Sequence, residues 1–516
     1  MVTRRYDVVV AGAGPVGLTF ALLLADRGVR VGLLEARTAP ELVGSKALCM
    51  QRETLEIWDS LGIGEWVADR GVAWSVGRTY FQDTELFSIT LPGSTGEHFP
   101  PFVNISQSEV EQALARRALA HDLVTIHYGQ TVADVEQDED SVTLHADGQS
   151  IRGEYAVAAD GSRSQVRRLL GIDFPGHSHL DRFLIADVRA DLPFPAERRF
   201  WFDPPFNPGR TVLIHPQPDG IWRIDWQVPA EFDLEAEQNS GRLDQRIRQI
   251  IGDVDYRPVW LTVYRFQQRC AETWRHQRIF LAGDTAHLMS PFGARGLNSG
   301  VADAANLAWK VEHVLAGQAP DSLLDSYAAE RVAAAEENLA VTGETMRFMA
   351  PPTDFRAERD RILRASRTDS TARAAVNSGR LATPMVYSGG LFPADREGDP
   401  PLVGRILEDV PTADGSRLRR RLTDAGGRWL ALTVGAQTPT LPRPLLGLAD
   451  NSAPVRGVYA PDGAARCWLI RPDGYVAACT EPNAEQVRTA WSAATGNQPS
   501  EHSFSKPRGS ASSDSG

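Results

Sequence analysis

A glycine-rich turn near the amino terminus constrains the fold of this chain more than any other feature. It lies within "VVVAGAGPVGLTFALLLADRGVRVGLLEAR", residues 8–37. Residues 6–11 predict a buried parallel strand, residues 15–27 a helix and residues 30–35 a second strand. The stretch therefore predicts a compact βαβ unit, with the glycines between the first strand and the helix.

Two other interpretations of this stretch fit poorly. The longest largely apolar run, residues 16–25, is too short to span a bilayer. A twin-arginine export signal would use Arg4 and Arg5, but Asp7 follows at once and glycines interrupt the apolar region. No small-residue cleavage site is present either. We therefore expect a chain that is neither exported nor inserted into a membrane.

The spacing Gly12-x-Gly14-x-x-Gly17 explains what the turn is for. Gly12 permits the tight turn, Gly14 lets the backbone approach a pyrophosphate, and Gly17 lets helix and strand pack closely. The amides at the helix start favour a phosphate, and Glu35 ends the second strand, where a carboxylate accepts hydrogen bonds from ribose hydroxyls. The pattern predicts dinucleotide binding, with a glycine-rich turn of some other α/β protein as the alternative. It does not separate NAD from FAD.

Composition narrows the class of protein. The 516 residues allow two or three domains. A formal net charge of -12 argues against general affinity for nucleic acid or anionic membranes. Cys49, Cys270, Cys467 and Cys479 show no paired spacing, so we expect reduced thiols in a cytosol and no metal site.

Two distant motifs decide between the two dinucleotides. "YAVAADGSRSQVRRLLGI", residues 155–172, predicts a strand, an Asp-Gly pair and a basic helix. "RIFLAGDTAHLMSPFGARGLNSGVADAANLAWKV", residues 278–311, predicts a buried strand, a Gly-Asp pair, a loop and a long helix. With the N-terminal unit and Gln107, the chain resembles the class A flavoprotein aromatic hydroxylases from about residue 6 to about residue 331. That family includes phenol hydroxylase, hydroxyphenylpropionate hydroxylases and aromatic-polyketide hydroxylases.

The resemblance implies FAD as the cofactor. Asp284 would hold a ribityl hydroxyl, with a helix N-cap as its alternative role. The amides of the helix start near Leu297 would face the N1–C2=O edge of the flavin, where a positive helix end stabilises an anionic reduced flavin. Gln107 would lie on the phosphate side, unless it is only a polar residue in a first helical turn. Asp160-Gly161 has an ordinary strand-end turn as its alternative. The implied FAD-binding residues are Gly12, Gly14, Val16, Gly17, Glu35, Ala36, Arg37, Lys46, Arg52, Gln107, Asp160, Gly161, Asp284, Pro291, Gly296, Leu297 and Asn298.

The segment "SKALCMQRETLE", residues 45–56, departs from the family pattern. Lys46 and Glu53 stand where the family usually has arginines, and lysine supplies a point charge rather than a bidentate fork. Arg52 is a neighbouring arginine that can compensate. The position of the aspartate that assists substrate deprotonation in phenol hydroxylase matches Leu48. The catalytic base is therefore left unidentified.

The order of predicted elements implies an α/β fold with three parts. A Rossmann-like FAD-binding domain carries an inserted antiparallel β-sheet substrate domain, and a small C-terminal thioredoxin-like domain without a CxxC motif follows. The predicted boundaries are 1–72, 100–175 and 270–380 for the FAD-binding domain, 73–99 and 176–269 for the substrate-binding sheet domain, 390–496 for the thioredoxin-like domain and 497–516 for a disordered tail.

Aromatic residues of the middle segment suit a pocket for an aromatic substrate. The predicted substrate-binding residues are Phe202, Trp226, Pro291, Phe292 and Gly293. Trp222 and Tyr264 belong to the same aromatic set, and each aromatic has the sheet core as its alternative location.

Polar residues of the same segment are candidates for proton transfer and for binding the reductant. His215 and Tyr264 are the candidates for helping a phenol to ionise. Arg199, Arg210 and Arg223 are candidates for contacting the phosphates of the reductant, with solvated strand arginines as the alternative.

The reaction that the resemblance implies is hydroxylation of a phenolic or polyketide-type ring. NADPH or NADH reduces FAD, and O2 adds at flavin C4a to form a hydroperoxide that attacks the ring. The implied partners are a small aromatic substrate and O2, without nucleic acid or a membrane, in the cytoplasm. A homodimer is left open.

Three other functions are alternatives to aromatic hydroxylation. A flavin-dependent halogenase would carry a WxWxIP signature, and the nearest match, "WRIDWQVP", has a different tryptophan spacing. An FAD-dependent dehydrogenase or reductase and a non-catalytic flavin-binding accessory protein both stay open on sequence alone.

Overall fold

The computed structural model describes residues 2–40, 47–91, 97–290, 293–376, 383–388, 391–392 and 402–497. The predicted site residues Lys46, Pro291 and Phe292 lie outside the described residues, as does the predicted tail beyond residue 497. No helix among the described segments is long and apolar enough to cross a membrane.

The strands of the described segments, in chain order, are β1 Val2–Arg5, β2 Val8–Ala11, β3 Val31–Glu35, β4 Cys49–Gln51, β5 Val72–Trp74, β6 Val76–Phe81, β7 Thr84–Thr90, β8 Phe102–Asn104, β9 Val124–Tyr128, β10 Val132–Gln137, β11 Val142–Ala146, β12 Gln149–Gly153, β13 Tyr155–Ala158, β14 Gly176–Ser178, β15 Arg182–Ala190, β16 Arg198–Phe202, β17 Thr211–Pro216, β18 Ile221–Val228, β19 Tyr256–Tyr264, β20 Gln267–Cys270, β21 Arg275–His276, β22 Ile279–Leu281, β23 His287–Leu288, β24 Leu430–Val434, β25 Leu446–Ala449, β26 Arg466–Ile470 and β27 Val476–Thr480.

The α-helices of the same segments are α1 Pro15–Ala25, α2 Arg52–Asp59, α3 Gly64–Arg70, α4 Gln107–Leu119, α5 Gln165–Leu169, α6 Leu234–Asn239, α7 Arg242–Ile251, α8 Gly296–Leu315, α9 Asp325–Met349, α10 Arg356–Ala365, α11 Ser370–Val376, α12 Leu418–Asp424, α13 Ala453–Tyr459 and α14 Ala484–Ala494.

A six-stranded sheet with the order β21-β22-β13-β2-β3-β9 brings the three sequence motifs together. Strands β22, β13, β2, β3 and β9 are mutually parallel, and Val157 of β13 pairs with both Val10 of β2 and Phe280 of β22. These strands are continuous apolar runs, as expected of a parallel sheet covered on both faces. Because parallel strands end at the same edge, the segments that follow β2, β3, β13 and β22 meet there.

A second sheet, of seven strands in the order β19-β15-β18-β17-β16-β6-β7, separates two chemical environments. Successive side chains of a strand point to opposite faces. On the central strands, the even-numbered residues of β15, β17 and β18 pack with α6 and α7 into one core cluster. The odd-numbered residues of the same strands therefore face the other way. This second face, which we call the cleft face, is turned toward the six-stranded sheet.

The register corrects the predicted role of two tryptophans. Trp222 and Trp226 are even-numbered residues of β18 and belong to the core cluster with α6 and α7. Trp226 is fully buried there. Neither side chain faces the cleft, so Trp226 is a core residue and not a substrate contact.

The C-terminal segment forms a four-stranded sheet with the order β25-β24-β26-β27. Strands β24 and β25 are parallel, and β26 is antiparallel to β24 and β27. The sheet packs on α8 through apolar side chains, among them Trp429, which lies edge-on to Trp309 of α8 with 5.4 Å between ring centroids.

A buried charge network also joins the C-terminal segment to the long helices. The Glu330 carboxylate of α9 accepts hydrogen bonds from the Arg471 guanidinium at 2.9 and 3.0 Å and from Lys310 Nζ of α8 at 3.0 Å. Arg471 also donates to Asp473. Burial disfavours the ionised carboxylate, but Arg471 and Lys310 outweigh it and lower the pKa of Glu330 to about 2. All these groups are buried and charged, so each depends on its partners.

Replacing Arg471 tests this dependence. Arg471→Leu leaves Glu330 and Asp473 buried without their guanidinium, and loss of one partner of a buried ion pair costs about 3–5 kcal/mol. We expect a decrease of that order in the free energy of unfolding measured by urea denaturation. Arg466→Leu, at the start of β26 and paired with the exposed Asp462, is the matched control and should change the midpoint little. Equal destabilisation by both variants would contradict the role given to the network.

Candidate functional site

One cleft of about 670 Å³ lies between the carboxyl edge of the six-stranded sheet and the cleft face of the seven-stranded sheet. Its volume is that of a typical small-molecule site. The sequence-predicted residues that line it are Gly12, Gly14, Val16, Glu35, Ala36, Arg37, Gln107, Asp160, Gly161, His215, Arg223, Tyr264, Asp284, Gly296, Leu297 and Asn298.

The three glycines of the turn differ in what a side chain at each position would contact. Gly12 has a φ of +98°, and a Cβ there would lie 2.4 Å from the carbonyl oxygen of Ala159 at the end of β13. A Cβ on Gly17 would lie 2.1 Å from the carbonyl oxygen of Gly12. No atom of the described residues lies within 4 Å of the Cβ position of Gly14, which lines the cleft. Gly12 and Gly17 allow backbone packing, whereas Gly14 leaves an open cradle at the start of α1.

Glu35 ties the end of β3 to the glycine turn. Its carboxylate accepts hydrogen bonds from the Ala13 amide at 2.7 Å and from the Arg37 amide and Nε at 2.9 and 2.8 Å. Burial works against ionisation, but these hydrogen bonds and the charge of Arg37 lower the pKa of Glu35 overall. Arg37 also donates to Glu111 of α4 at 2.5 Å. A buried carboxylate is therefore held in place at the edge of the cleft.

Asp284 stands at the end of β22, in a short 3-10 turn that covers Gly283–Thr285. It is exposed, and it lines the cleft. The turn is anchored from below, because the Gly283 amide donates to the buried Asp303 carboxylate at 3.0 Å. Asp303 also accepts from His287 Nε2 at 2.7 Å and from Arg331 Nε at 2.7 Å.

The Asp303, His287 and Arg331 cluster is a part of the site that sequence reasoning missed. Burial opposes ionisation, but the charges of His287 and Arg331 lower the pKa of Asp303. Arg331 further donates to the Ser299 carbonyl of α8 at 3.2 Å. The cluster thus fixes the Gly283 turn relative to the first turn of α8. No spacing rule connects these residues, which come from different segments.

Asp160 is used mainly as a structural cap. Its carboxylate accepts hydrogen bonds from Ser164 Oγ at 2.5 Å and from the amides of Gln165 and Val166 at 2.7 and 3.1 Å, at the start of α5. Thr285 Oγ1 donates to the same carboxylate at 3.2 Å. Asp160 and the adjacent glycine still line the cleft, but the carboxylate serves the strand-end turn that was its alternative role.

The start of α8 faces the same cleft. Gly296, Leu297 and Asn298 line it, and the first amides of a helix have no intrahelical acceptor. The Asn298 side chain does not project freely: it accepts from the Gln51 amide at 3.0 Å and from Thr54 Oγ1 at 2.7 Å. It thereby fastens α8 to the segment that carries α2.

Gln107 and Arg52 are the first residues of helices α4 and α2, respectively. Gln107 lines the cleft, and its Oε1 accepts a hydrogen bond from the Ala47 amide at 3.0 Å, which ties the start of α4 to the segment before β4. Arg52 is buried and donates through Nε to the Phe99 carbonyl at 2.8 Å. Arg52 does not line the cleft, so a compensating role beside Lys46 has no support in its position.

The cleft face contributes a second set of polar side chains. His215, Arg223, Asp187 and Trp260 pair across β17, β18, β15 and β19 in one cross-strand row. Arg223 binds Asp187 bidentately at 2.9 and 3.0 Å. In the next row Asp225 stands between Leu213 and Ile185. Asp225 lines the cleft, and the sequence analysis did not single it out.

The surroundings of the cleft face shift the pKa values of its titratable groups in different directions. Burial, followed by the charges of Arg198 and Arg223, holds the pKa of His215 well below its usual value. Burial and the charge of Asp284 raise the pKa of Tyr264. Both side chains are therefore uncharged at neutral pH, and neither is a strong proton acceptor. Burial raises the pKa of Asp225 to about 7 against the opposing charge of Arg223.

Four of the other predicted residues do not line the cleft, namely Phe202, Gly293, Arg199 and Arg210, whereas Arg223 does. Phe202 packs against Phe200, with 4.7 Å between ring centroids, in a cluster that includes residues of α9 and α10. Gly293 is not among the lining residues. The three proposed reductant arginines have acidic partners: Arg199 pairs with Glu197, Arg210 with Asp181 and Arg223 with Asp187. Each of the three guanidinium groups is therefore already paired with a carboxylate.

Comparison with known proteins settles the family. A family model described as FAD binding domain matches residues 5–342, more than half of the chain. The 12-dehydrotetracycline 5-monooxygenase/anhydrotetracycline 6-monooxygenase of Streptomyces rimosus subsp. rimosus is 31% identical over 92% of this chain and 95% of that protein. The chain belongs to the class A flavoprotein hydroxylases.

Further relatives of this flavoprotein hydroxylase cover nearly its whole length. The rifampicin monooxygenase of Streptomyces venezuelae is 32% identical over 91% of this chain and 95% of that protein. The solved structure of OxyS anhydrotetracycline hydroxylase from Streptomyces rimosus has a TM-score of 0.73 at 28% identity, over 96% of this chain and 99% of that one. The hydroxylase is an FAD-dependent monooxygenase that acts on an aromatic substrate.

The described residues fit FAD. Gly14 leaves an open cradle at the start of α1, where a phosphate gains hydrogen bonds and a favourable helix dipole. Glu35 is held as a carboxylate at the edge of that cradle, and Asp284 is exposed to the same cleft. The start of α8 adds helix amides between these groups and the cleft face. The hydroxylase therefore has polar groups suited to the pyrophosphate, a ribose and the ribityl chain of a flavin dinucleotide.

Filling the cradle tests this fit. Gly14 has an extended backbone, φ -76° and ψ -179°, so Gly14→Val introduces no backbone strain. The added side chain enters the space that the pyrophosphate requires, and we expect loss of bound FAD with an unchanged circular dichroism spectrum. Gly457→Val, at an open position in α13, is the control and should keep its flavin. A yellow Gly14→Val protein would contradict the placement of the dinucleotide.

Proposed function

We propose that this hydroxylase inserts one oxygen atom of O2 into a phenolic or polyketide-type ring, with NAD(P)H as the reductant. One observation carries the proposal: a single cleft joins the dinucleotide cradle to a sheet face that combines apolar side chains with enclosed polar groups. The tetracycline and rifampicin names of the relatives support a substrate of polycyclic size.

In the proposed site, the chain holds the cofactor through backbone and side chains of four segments. Gly14 and the start of α1 would hold the pyrophosphate, Glu35 a ribose, Asp284 the ribityl chain, and the start of α8 the flavin ring, since all four line the cleft. Bound FAD supplies electron transfer from NAD(P)H and activation of O2. The helix dipole at the start of α8 favours negative charge on the ring system.

The cleft face has three tasks in this proposal. Phe183, Ile185 and Leu213 present apolar surface to an aromatic ring and keep water away from the reacting atoms. His215, which is uncharged, exchanges hydrogen bonds with substrate oxygens. Tyr264 is a hydroxyl donor close to Asp284. Holding the substrate ring in one orientation relative to the reacting atoms lowers the barrier to the reaction.

The predicted domain boundaries, including the thioredoxin-like nature of the C-terminal part, belong to the same proposal. The strand order of that sheet, with one parallel and two antiparallel pairs, is compatible with a thioredoxin-like topology. Cys467 is buried and burial raises its pKa, which supports a structural role rather than thiol chemistry. The four cysteines form no disulfide, which favours a reducing compartment such as the cytoplasm.

Turnover of purified protein tests the proposed reaction. With phenols, naphthols and hydroxyanthraquinones we expect NAD(P)H oxidation, O2 uptake and a product heavier by one oxygen atom. Gly14→Val should give none of the three signals. Product that requires halide would indicate a halogenase, and turnover without O2 would indicate a dehydrogenase. Bound FAD without turnover on any compound would favour an accessory protein.

A further inference from the structure

Asp225 is a carboxylate on the cleft face to which the described residues give no structural role. It stands on β18 between Ile185 of β15 and Leu213 of β17, so its cross-strand neighbours are apolar. Its Oδ1 atom is enclosed and has no hydrogen-bond partner among the described residues. An enclosed polar atom without a partner costs free energy, which a chain tolerates mainly where a ligand will supply the missing hydrogen bond.

The neighbouring arginine does not neutralise this carboxylate. Arg223, two residues earlier on the same face, is held by Asp187 in a bidentate ion pair, and Gln217 also donates to Asp187 at 2.9 Å. Asp187 therefore takes the pairing that Asp225 would otherwise have. The charge of Arg223 remains close enough to favour the ionised form of Asp225.

The other groups around Asp225 are poor proton acceptors or are cations. His215 of β17 has a strongly lowered pKa, and its Nδ1 atom is also enclosed without a partner. Burial raises the pKa of the Cys49 thiol of β4 to about 12. Arg198 of β16 is a cation, although burial lowers its pKa to about 10. The charged and titratable groups that face Asp225 are Arg223, Asp187, Arg198, His215 and Cys49.

We propose that Asp225 is a catalytic residue that accepts the proton of the substrate hydroxyl through Oδ1, so that the hydroxylase takes aromatic substrates with a ring hydroxyl. His215 would act as a hydrogen-bond partner of a second substrate oxygen. This inference rests on the proposed function, because the proton transfer has a purpose only if the ring is then oxygenated.

The proposed step balances. The O–H bond of the substrate breaks, its proton passes to Asp225, and the electron pair stays on the substrate oxygen, which enriches the ring. NAD(P)H supplies two electrons as a hydride, the solvent supplies one proton, and O2 supplies both oxygen atoms. Asp225 returns its proton to the substrate oxygen when the ring regains its aromaticity. One atom replaces a ring hydrogen as a new hydroxyl, and the other leaves as water. The Asp225 carboxylate suits this task because burial raises its pKa to about 7, and a catalytic base works best when its pKa lies near the working pH.

Binding of 2-naphthol to the oxidised holoenzyme tests the contact without turnover. The naphthol hydroxyl donates a stronger hydrogen bond to the ionised carboxylate than to a neutral carboxyl group, so affinity, followed by perturbation of the flavin spectrum, should rise as the pH increases through about 7. Asp225→Asn should bind about tenfold to a hundredfold more weakly above that pH and show no such rise. Asp225→Glu should restore the pH dependence. Asp253→Asn, an exposed carboxylate after α7, is the control and should match the wild type.

Turnover gives a second readout. Asp225→Asn should keep its FAD and its reduction by NAD(P)H, yet hydroxylate roughly 10²–10⁴-fold more slowly at neutral pH. Activity should recover at high pH, where the substrate ionises by itself. Identical pH profiles for wild type and Asp225→Asn in binding or in turnover would overturn the inference. If the wild type shows the pH-dependent binding but yields no oxygenated product, the proposed function fails and the contact with Asp225 stands.

Discussion

Parallel pairing of β2, β13 and β22 is the constraint on which the rest of the structure depends. These strands lie far apart in sequence, but their side-by-side register puts Gly12, Asp160 and Gly283 at one edge of one sheet. The close approach of Gly12 to the carbonyl of Ala159 shows how tightly the strand ends meet. A larger residue at Gly12 would separate the two strands whose ends form the dinucleotide cradle.

Next to this edge, buried charges fix the position of the Gly283 turn relative to α8. Asp303 binds the Gly283 amide, His287 and Arg331, and Arg331 in turn binds the Ser299 carbonyl of α8. A buried carboxylate needs several partners at once, so this cluster permits only one arrangement of the turn and the helix. The same logic recurs farther out, where Glu330 joins α8 and α9 to the C-terminal sheet. The cleft is thus braced from the side opposite the seven-stranded sheet.

The sequence was sufficient for the family, the cofactor and the reaction class, which the comparisons confirm. It was insufficient to identify which residues of the seven-stranded sheet face the cleft. In "GIWRIDWQVP", an aspartate that alternates with Ile224 and Trp226 has the pattern of a strand with one solvated face. The sequence analysis assigned the tryptophans to the pocket because aromatic residues suit an aromatic substrate. The structure covers their face with α6 and α7 and turns Asp225 toward the cleft.

What the sequence determined by itself is local: strand, glycine turn, helix and terminal acid follow from spacing, because each depends on backbone geometry within a few residues. What only the tertiary structure decided is which face of the middle sheet is enclosed by the cofactor domain and which carboxylates lack a partner. Alternation specifies that a strand has two faces, but it does not specify what packs on each. For that reason Asp160, at a motif position, is a helix cap, whereas Asp225, outside every motif, stands in the cleft.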